Sequence, residues 1–384
     1  MNKDVEELLT RGVDKIYPSK EALEEVLKSG KKLKLYQGFD PTGDKLHLGH
    51  LVGLRKLADW QEAGHHVIFL IGDGTGQAGD PSGKTKARDR FLSREELRKN
   101  ATDYVKQAEK IIRFNGVNPV EIKFNGDWLE KLGYREFLEL MGHFTWQQLG
   151  ERDLFQERIK SGEPLLLREA VYPLLQAYDS VAMDVDLEVG GSDQTFNMLA
   201  GRTLVKSILN KEKFVMTTPL LADSSGKKIG KTEGNVIALK DEPADLFGKI
   251  MSLPDEVIVR CFEYLTRVSI DRVKEVEDKI KAGENPMQFK KELAWKIVTD
   301  LNDEKVAEKA QENFEETFSK GGVPKDVQTV SAPKDRHLVE ILLEQGLVKS
   351  KTEFNRLNKE GAIKEIENGT YRIGKHRFIK IDWQ

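Results

Sequence analysis

The 384 residues include a single cysteine, Cys261. A lone thiol excludes an intrachain disulfide, a cysteine-cluster zinc site and an iron–sulfur cage. Neither sign of charge is in excess: 61 Lys and Arg face 64 Asp and Glu, for a formal net charge of −3. A uniformly basic coat for nucleic acid is therefore excluded, although a local basic patch is not. Long apolar runs are missing as well. The longest, Val67 to Ile71, falls far short of the roughly 20 residues a membrane-spanning helix needs. The first residues, Met1-Asn2-Lys3-Asp4-Val5-Glu6-Glu7, are acidic and carry no apolar stretch. Neither a secretory signal nor an Arg-rich transit peptide is expected from them, and the reducing cytosol is the expected location. No repeat at solenoid periods and no low-complexity tract interrupts the chain. What is present, 39% hydrophobic and 33% charged residues, suits two or three domains, each with a core of its own.

The hydrophobic pattern gives an order of elements. Leu23, Val26 and Leu27 have helical spacing. Lys32 to Tyr36 alternates as a strand does, and loop residues Gly38, Asp40, Pro41 and Gly43 follow it. Residues 49–62 read as a helix, Val67 to Ile71 as a buried strand, Arg94 to Phe114 as a helix and Val120 to Phe124 as another strand. Strands alternating with helices imply an α/β domain with a mostly parallel sheet. Beyond about residue 240 the texture is helical and charge-rich, over Asp255 to Lys281 and Pro286 to Lys309. A Gly/Pro/Ser cluster from Lys320 to Pro333 reads as a linker. The remainder reads as two helices, Leu338 to Gln345 and Ser350 to Lys359, followed by short strands ending at Ile381.

Two nucleotide-site motifs fail on context. Gly74-Thr75-Gly76-Gln77-Ala78-Gly79 fits G-x-G-x-x-G, but Asp80-Pro81-Ser82-Gly83 follows it, which is turn chemistry rather than an opening helix. Gly83-Lys84-Thr85 ends like a P-loop, yet residue 78, where that loop needs glycine, is alanine.

Two other segments carry chemistry. His47-Leu48-Gly49-His50 sits where a loop enters a helix. Helix N-termini favour phosphate, and imidazoles there can donate to a phosphoryl group as charge develops. By itself the tetrapeptide is equally compatible with surface or metal-binding histidines, although further zinc ligands are not evident nearby. About 180 residues later comes Ser224-Ser225-Gly226-Lys227-Lys228-Ile229-Gly230-Lys231-Thr232. Its lysines can neutralise a polyphosphate leaving group, although by itself the run reads more readily as a solvated basic loop, the usual fate of such a run.

Together the two resemble the class I aminoacyl-tRNA synthetases. The residues around them narrow the likeness: Tyr36-Gln37-Gly38-Phe39-Asp40-Pro41-Thr42, Gly79-Asp80-Pro81-Ser82-Gly83-Lys84, Tyr172-Pro173-Leu174-Leu175-Gln176-Ala177-Tyr178-Asp179 and Gly190-Gly191-Ser192-Asp193-Gln194. In this order, over nearly the whole chain, they resemble the bacterial-type tyrosyl-tRNA synthetases. The resemblance implies activation of L-tyrosine by ATP to tyrosyl-adenylate and pyrophosphate, then transfer of tyrosine to the 3′ end of tRNA(Tyr).

It also implies roles. The tyrosine side chain is read by Tyr36 and Asp179. A pocket built to bond a phenol rejects phenylalanine because its own polar groups are left unpaired, and these synthetases are themselves the reference example, at about 10⁴–10⁵. Asp80, Tyr172 and Gln176 match the α-ammonium site, the last two standing four residues apart on one helix face. Gln194 matches a residue near the carboxylate, and Asn125 a further polar residue on the tyrosine side. Gly191 and Asp193 match the ribose and adenine side, while Gly38 and Asp40 line the ATP site. The amino-acid carboxylate is already ionised, so no general base is required, and catalysis is positioning plus charge stabilisation. Thr42 and His47 would bind the transition-state phosphate oxygens, and His50 would support the loop or touch the ribose. Lys84, Arg88, Lys228 and Lys231 would draw off pyrophosphate. Mg²⁺ is implied with ATP, but the sequence offers no dedicated carboxylate cage for it, and no tightly bound metal is expected.

The implied architecture is a Rossmann-like catalytic domain over 1–222, with a dimerisation insertion at about 130–165 carrying Phe137, Leu138, Leu140, Met141, Phe144 and Trp146. The lysine loop and a helical anticodon-binding domain follow over 223–324, a linker over 325–336, and a small α+β domain resembling the S4 RNA-binding module over 337–384. In that last piece nine Lys and Arg face seven Asp and Glu, with Lys349, Lys351, Arg356 and Lys359 able to form a basic face. A homodimer and no membrane partner are implied. His65, His66, His143, His337 and His376 are read as structural, and Trp60, Trp128, Trp146 and Trp295 as packing residues. Three features depart from the family pattern: Glu188 in place of a frequent glutamine, Thr195-Phe196-Asn197 in place of Trp-Gly-Asn, and Lys-Ile-Gly-Lys-Thr in the lysine loop. A sister enzyme for tryptophan and a catalytically silent RNA-binding relative are the alternatives. Tyr36 with Asp179 disfavours the first, and the intact His47, His50, Lys228 and Lys231 disfavour the second.

Overall fold

The computed structural model describes residues 5–82, 90–150, 153–223, 226, 228–229, 231–232, 235–316, 327–333, 336–348, 350–367, 369–374 and 377–384. It divides into two compact units, one of residues 1–240 and 254–284, the other of 241–253 and 285–384.

The first unit is built on six strands: β1 (Lys15–Tyr17), β2 (Lys34–Phe39), β3 (His66–Ile71), β4 (Glu121–Phe124), β5 (Leu187–Gly191) and β6 (Phe214–Thr218). Their order is β1-β6-β5-β2-β3-β4. All neighbours are parallel except β1, which runs antiparallel along β6. The fold class is thus the α/β class expected. The sequence pattern shows nothing of β1, because three residues ahead of Pro18 are too few to display a period.

The helices of this unit are α1 (Val5–Thr10), α2 (Lys20–Lys28), α3 (Leu48–Glu62), the single turn α4 (Thr75–Ala78), α5 (Arg94–Ala108), the short α6 (Gly126–Leu129), α7 (Tyr134–Met141), α8 (Trp146–Gly150), α9 (Asp153–Lys160), α10 (Leu167–Ala182) and α11 (Thr195–Leu209). The chain then enters the second unit for α12 (Pro243–Met251) and returns for α13 (Ile258–Leu265) and α14 (Ile270–Lys281). The G-x-G-x-x-G segment does make a helical turn, α4, but Gly79 ends it at φ +88°.

Helix α3 is buried along most of its length, including Arg55, Lys56 and Asp59. These polar groups are tolerable inside because each is paired. Arg55 donates to the Leu265 carbonyl, and Lys56 to the Leu8 carbonyl and Asp59. Covering α3 is what binds residues 254–284 into the first unit. A single boundary near residue 222 does not describe this grouping. Of the insertion, Leu140 and Leu149 pack with Leu174, Ala177, Ala200 and Leu204 of α10 and α11. Trp146, expected to pack, is 57% exposed.

The second unit contains α12, α15 (Pro286–Leu301) and α16 (Glu304–Phe314), then β9 (Thr329–Ala332), α17 (Leu338–Glu344), α18 (Lys351–Lys359), β10 (Ile363–Glu367), β11 (Thr370–Ile373) and β12 (Arg377–Trp383). Its strands are ordered β10-β11-β12-β9, with β9 parallel to β12. This last piece has its own apolar core of Ala332, Ile341, Leu342, Val348, Leu357, Ile373, Ile379 and Ile381. In the first unit two further short strands, β7 (Lys231–Thr232) and β8 (Asn235–Val236), form an antiparallel pair. Among the described residues no helix is long and apolar enough to cross a membrane.

Candidate active site

The strand order reverses between β2 and β5: β3 and β4 extend from one side of β2, while β5 pairs with its other side. Open α/β sheets take up ligands at such a switch point, beyond the carboxyl ends of the strands. A cleft of about 430 Å³ lies there. It is lined by Tyr36, Gly38 and Asp40 from β2 and its end, Thr42, His47 and His50 from the loop into α3, Asp80, Asn125, and Tyr172, Gln176 and Asp179 from α10. Gly191, Asp193, Gln194 and Lys228 complete the set of expected residues that line it. Lys84, Arg88 and His376 lie outside the described residues, and of Lys231 only the backbone is described.

One end of the cleft is closed by Asp179. Its carboxylate accepts from Trp128 Nε1 at 2.8 Å and Asn125 Nδ2 at 3.0 Å. Burial pushes this carboxyl well above the usual carboxylate range, and the two N–H donors pull it back. Tyr36 Oη shares a 2.9 Å hydrogen bond with Ser180 Oγ, and burial raises its pKa too. Asn125 is placed by the β4–α6 junction. Its backbone N–H donates to the Ile71 carbonyl, and its Oδ1 accepts from Gly74 N at 2.8 Å. The junction is tied down by buried Asp73, which accepts from Gly126 N, Arg94 and Arg98.

Further along, Tyr172 Oη donates to Asp40 Oδ2 at 2.9 Å, and Thr75 Oγ1 donates to Asp40 Oδ1 at 2.7 Å. Asp40 therefore braces Tyr172, and burial ahead of the Asp40 charge pushes the Tyr172 hydroxyl pKa well above its ordinary value. Gln194 Nε2 donates to Asp80 Oδ2 at 2.9 Å. Asn197 Nδ2 donates to both Gln194 Oε1, at 2.8 Å, and Gln176 Oε1, at 3.1 Å.

The histidines form the opening turn of α3. His47 Nδ1 accepts from Gly49 N, and His50 Nδ1 accepts from His47 N, both at 3.1 Å. With Nδ1 accepting, a neutral ring carries its proton on Nε2, so each imidazole keeps an N–H donor on its other edge. The segment after the lysine loop pairs directly with the histidine segment: Leu48 N donates to the Ile237 carbonyl and Leu239 N to the Leu46 carbonyl. That pairing brings together two motifs about 180 residues apart. Lys228 Nζ reaches Asp193 Oδ2 at 2.7 Å.

The structure adds residues that the sequence reading missed. Trp128, read as packing, holds Asp179. Ser180 and Thr75 are hydrogen-bonding neighbours of expected residues. Gln37 lies over Gly53, where a Cβ would come within 2.4 Å of its Nε2. Lys213 is fully buried and paired with Glu188. No pattern in the sequence marks it. Among the described residues no group of three His, Cys, Asp or Glu could hold a metal ion.

A polar cleft at the switch point of a parallel sheet, opened by a histidine-capped helix, is the setting of nucleotide-binding α/β enzymes. The family model of the class I tRNA synthetases (W and Y) matches residues 28–319, and the chain belongs to that family. A tyrosine–tRNA ligase of Thermotoga maritima is 37% identical, over 97% of this chain and 96% of its own length. The tyrosine–tRNA ligase 2 of Pseudoalteromonas translucida is 39% identical, over 97% of both. In fold, the chain resembles a C-terminally truncated mitochondrial tyrosyl-tRNA synthetase of Aspergillus nidulans, at TM-score 0.68 and 24% identity over 82% of this chain and 94% of that one. It also resembles the tyrosyl-tRNA synthetase of Archaeoglobus fulgidus complexed with L-tyrosine, at TM-score 0.64 and 21% identity over 80% and 99%.

Proposed function

We propose that this chain is a tyrosine–tRNA ligase that forms tyrosyl-adenylate from L-tyrosine and ATP and passes tyrosine to the 3′ end of tRNA(Tyr). The observation that carries the reading is the closed end of the cleft, where the Asp179 carboxylate, oriented by Trp128 and Asn125, stands with Tyr36. A phenol offers each group a further hydrogen bond, whereas a phenyl ring offers neither one. Asp80, Tyr172 and Gln176 take the ammonium, and Gln194 orients the carboxylate. A carboxylate oxygen of tyrosine attacks the α-phosphorus of ATP, and the bond to the bridging oxygen of pyrophosphate breaks. Thr42 and the Nε2–H of His47 stabilise charge on the phosphate oxygens, with Gly38, Asp40, His50, Gly191 and Asp193 on the nucleotide side. Lys84, Arg88, Lys228 and Lys231 take the charge of the departing pyrophosphate. Mg²⁺ arrives with the nucleotide and would neutralise its phosphates there.

The 337–384 piece serves as an S4-like RNA-binding domain, and the helical region before it takes the anticodon side of tRNA. The exposed Tyr134, Leu138 and Trp146 support a homodimer through the 130–165 region. The expected location is the cytoplasm. The test is amino-acid-dependent exchange of labelled pyrophosphate into ATP with tyrosine, phenylalanine and tryptophan in parallel. Exchange with tyrosine alone, lost in Asp179→Ala, is expected. Exchange with tryptophan, or with none of the three, overturns the reading.

A further inference from the structure

Glu188 lies on the floor of the cleft, 2% exposed, with both carboxylate oxygens committed. Its Oε1 accepts from Gln176 Nε2 at 3.0 Å. Its Oε2 accepts from Ser180 Oγ at 3.4 Å and from Lys213 Nζ. Lys213 immediately precedes β6 and is fully buried, its ammonium also donating to the Met198 carbonyl at 3.3 Å. Space for that ammonium comes from Gly201 on α11, where a Cβ would sit 2.6 Å from Nζ.

The pair terminates a chain of amides. Gln176 donates to Glu188 and accepts from Asn197, while Gln194 accepts from Asn197 and donates to Asp80. An ionised carboxylate can only accept. With an acceptor-only group at each end, both glutamines have one allowed orientation. A group at position 188 able to donate would let the Gln176 amide invert and would break the bond from Asn197. The second branch, through Ser180, reaches the hydroxyl of Tyr36.

We propose that Lys213 is a positioning residue for amino-acid recognition: its ammonium holds the Glu188 carboxylate beneath the pocket, and thereby fixes the orientation of the Gln176–Asn197–Gln194 amides. The inference rests on the cleft being the tyrosine site, and it deepens that reading by adding a buried lysine that acts through Glu188.

The test is a cycle of Lys213→Met, Glu188→Gln and the double variant, assayed by pyrophosphate exchange, with thermal melting to verify folding. Each single variant removes either the acceptor-only partner of Gln176 or the cation that pairs with that partner, and the double variant removes both, so the three losses share one cause. Lys213→Met is expected to raise the KM for tyrosine about tenfold or more while kcat and the KM for ATP stay within about threefold. Glu188→Gln and the double variant are expected to give a tyrosine KM within about threefold of that in Lys213→Met, because a Gln at position 188 can donate as well as accept. A residue that merely packs gives no such non-additivity and no such split. An unchanged tyrosine KM in Lys213→Met, or a double-variant loss equal to the product of the two single losses, overturns the inference while leaving the proposed activity standing. If Lys213→Met fails to fold, the double variant decides alone: an unchanged tyrosine KM in it overturns the inference. Absence of tyrosine-dependent exchange in the unsubstituted chain overturns the activity, and the inference with it.

Discussion

Asp179 is a carboxylate placed where charge is penalised, and its neighbours explain how it stays useful: two N–H donors, one on each oxygen, fix its plane across the end of the cleft. His65 shows the opposite solution to burial. It is 5% exposed, and its Nδ1 accepts from Leu33 N at 3.0 Å. Burial, helped by the nearby Lys32 charge, lowers its pKa to about 4 from an ordinary 6.5. Between those values the unfolded chain binds a proton that the folded chain refuses, so the stability this histidine contributes is full above pH 6.5 and is lost as pH falls toward 4. We predict a loss of about 1–2 kcal/mol from this residue between pH 7 and 5. In His65→Gln, whose amide oxygen can accept from Leu33 but does not titrate, the urea midpoint should fall less over the same interval. An equal fall in both proteins would remove His65 from the acid sensitivity.

Strand ends and helix starts carry the site, and their geometry limits what can be changed. Gly72 follows β3, and a Cβ there would lie 1.9 Å from Asp40 Oδ1 and 2.5 Å from Thr75 Oγ1. We expect Gly72→Ala to drive Asp40 from Tyr172, to cost about 1–3 kcal/mol of stability, and to lower tyrosine-dependent kcat/KM about tenfold or more. Retention of both values would mean that Asp40 does not brace Tyr172. These elements were legible in the sequence to very different degrees. The run Val67–Ile71 and the turn residues around Pro41 announced themselves, because apolar runs and turn chemistry are local, whereas Gly38, expected in the loop, lies inside β2 and pairs with Leu70. Tyr172, Gln176 and Asp179, spaced on one face of α10, were picked out through the family resemblance rather than by any local pattern. The expected helix to Phe114 stops at Ala108, since Ile111 and Ile112 bury themselves in turns rather than on a helical face. Lys213 and Trp128 were not picked out. A buried lysine reads like any surface lysine, and an indole N–H reveals itself only when its acceptor, 51 residues away in sequence, is in place.

For the molecule as a whole, every described residue of the cleft lies between positions 36 and 229, and the last domain carries its own core. A chain ending at residue 316 should keep tyrosine-dependent pyrophosphate exchange within about threefold and lose tRNA charging by about tenfold or more, since the domain proposed to bind RNA is what it forfeits. Equal loss of both would show that the small domain supports the cleft. The first helix has a fate of its own. Arg11, at its end, donates to the carbonyls of Glu263 and Thr266 at 3.1 and 2.8 Å, and β1 pairs with Val215 to Thr217. On a ribosome the amino-terminal segment is made some 200 to 255 residues before these anchors. At about 5–20 residues per second it waits roughly 15–50 seconds for them. During that time α2 and α3 offer it partners, such as Lys56 on the Leu8 carbonyl, but the later anchors are missing, so nascent chains stay accessible to chaperones and proteases at the end that, in the finished protein, seals the sheet.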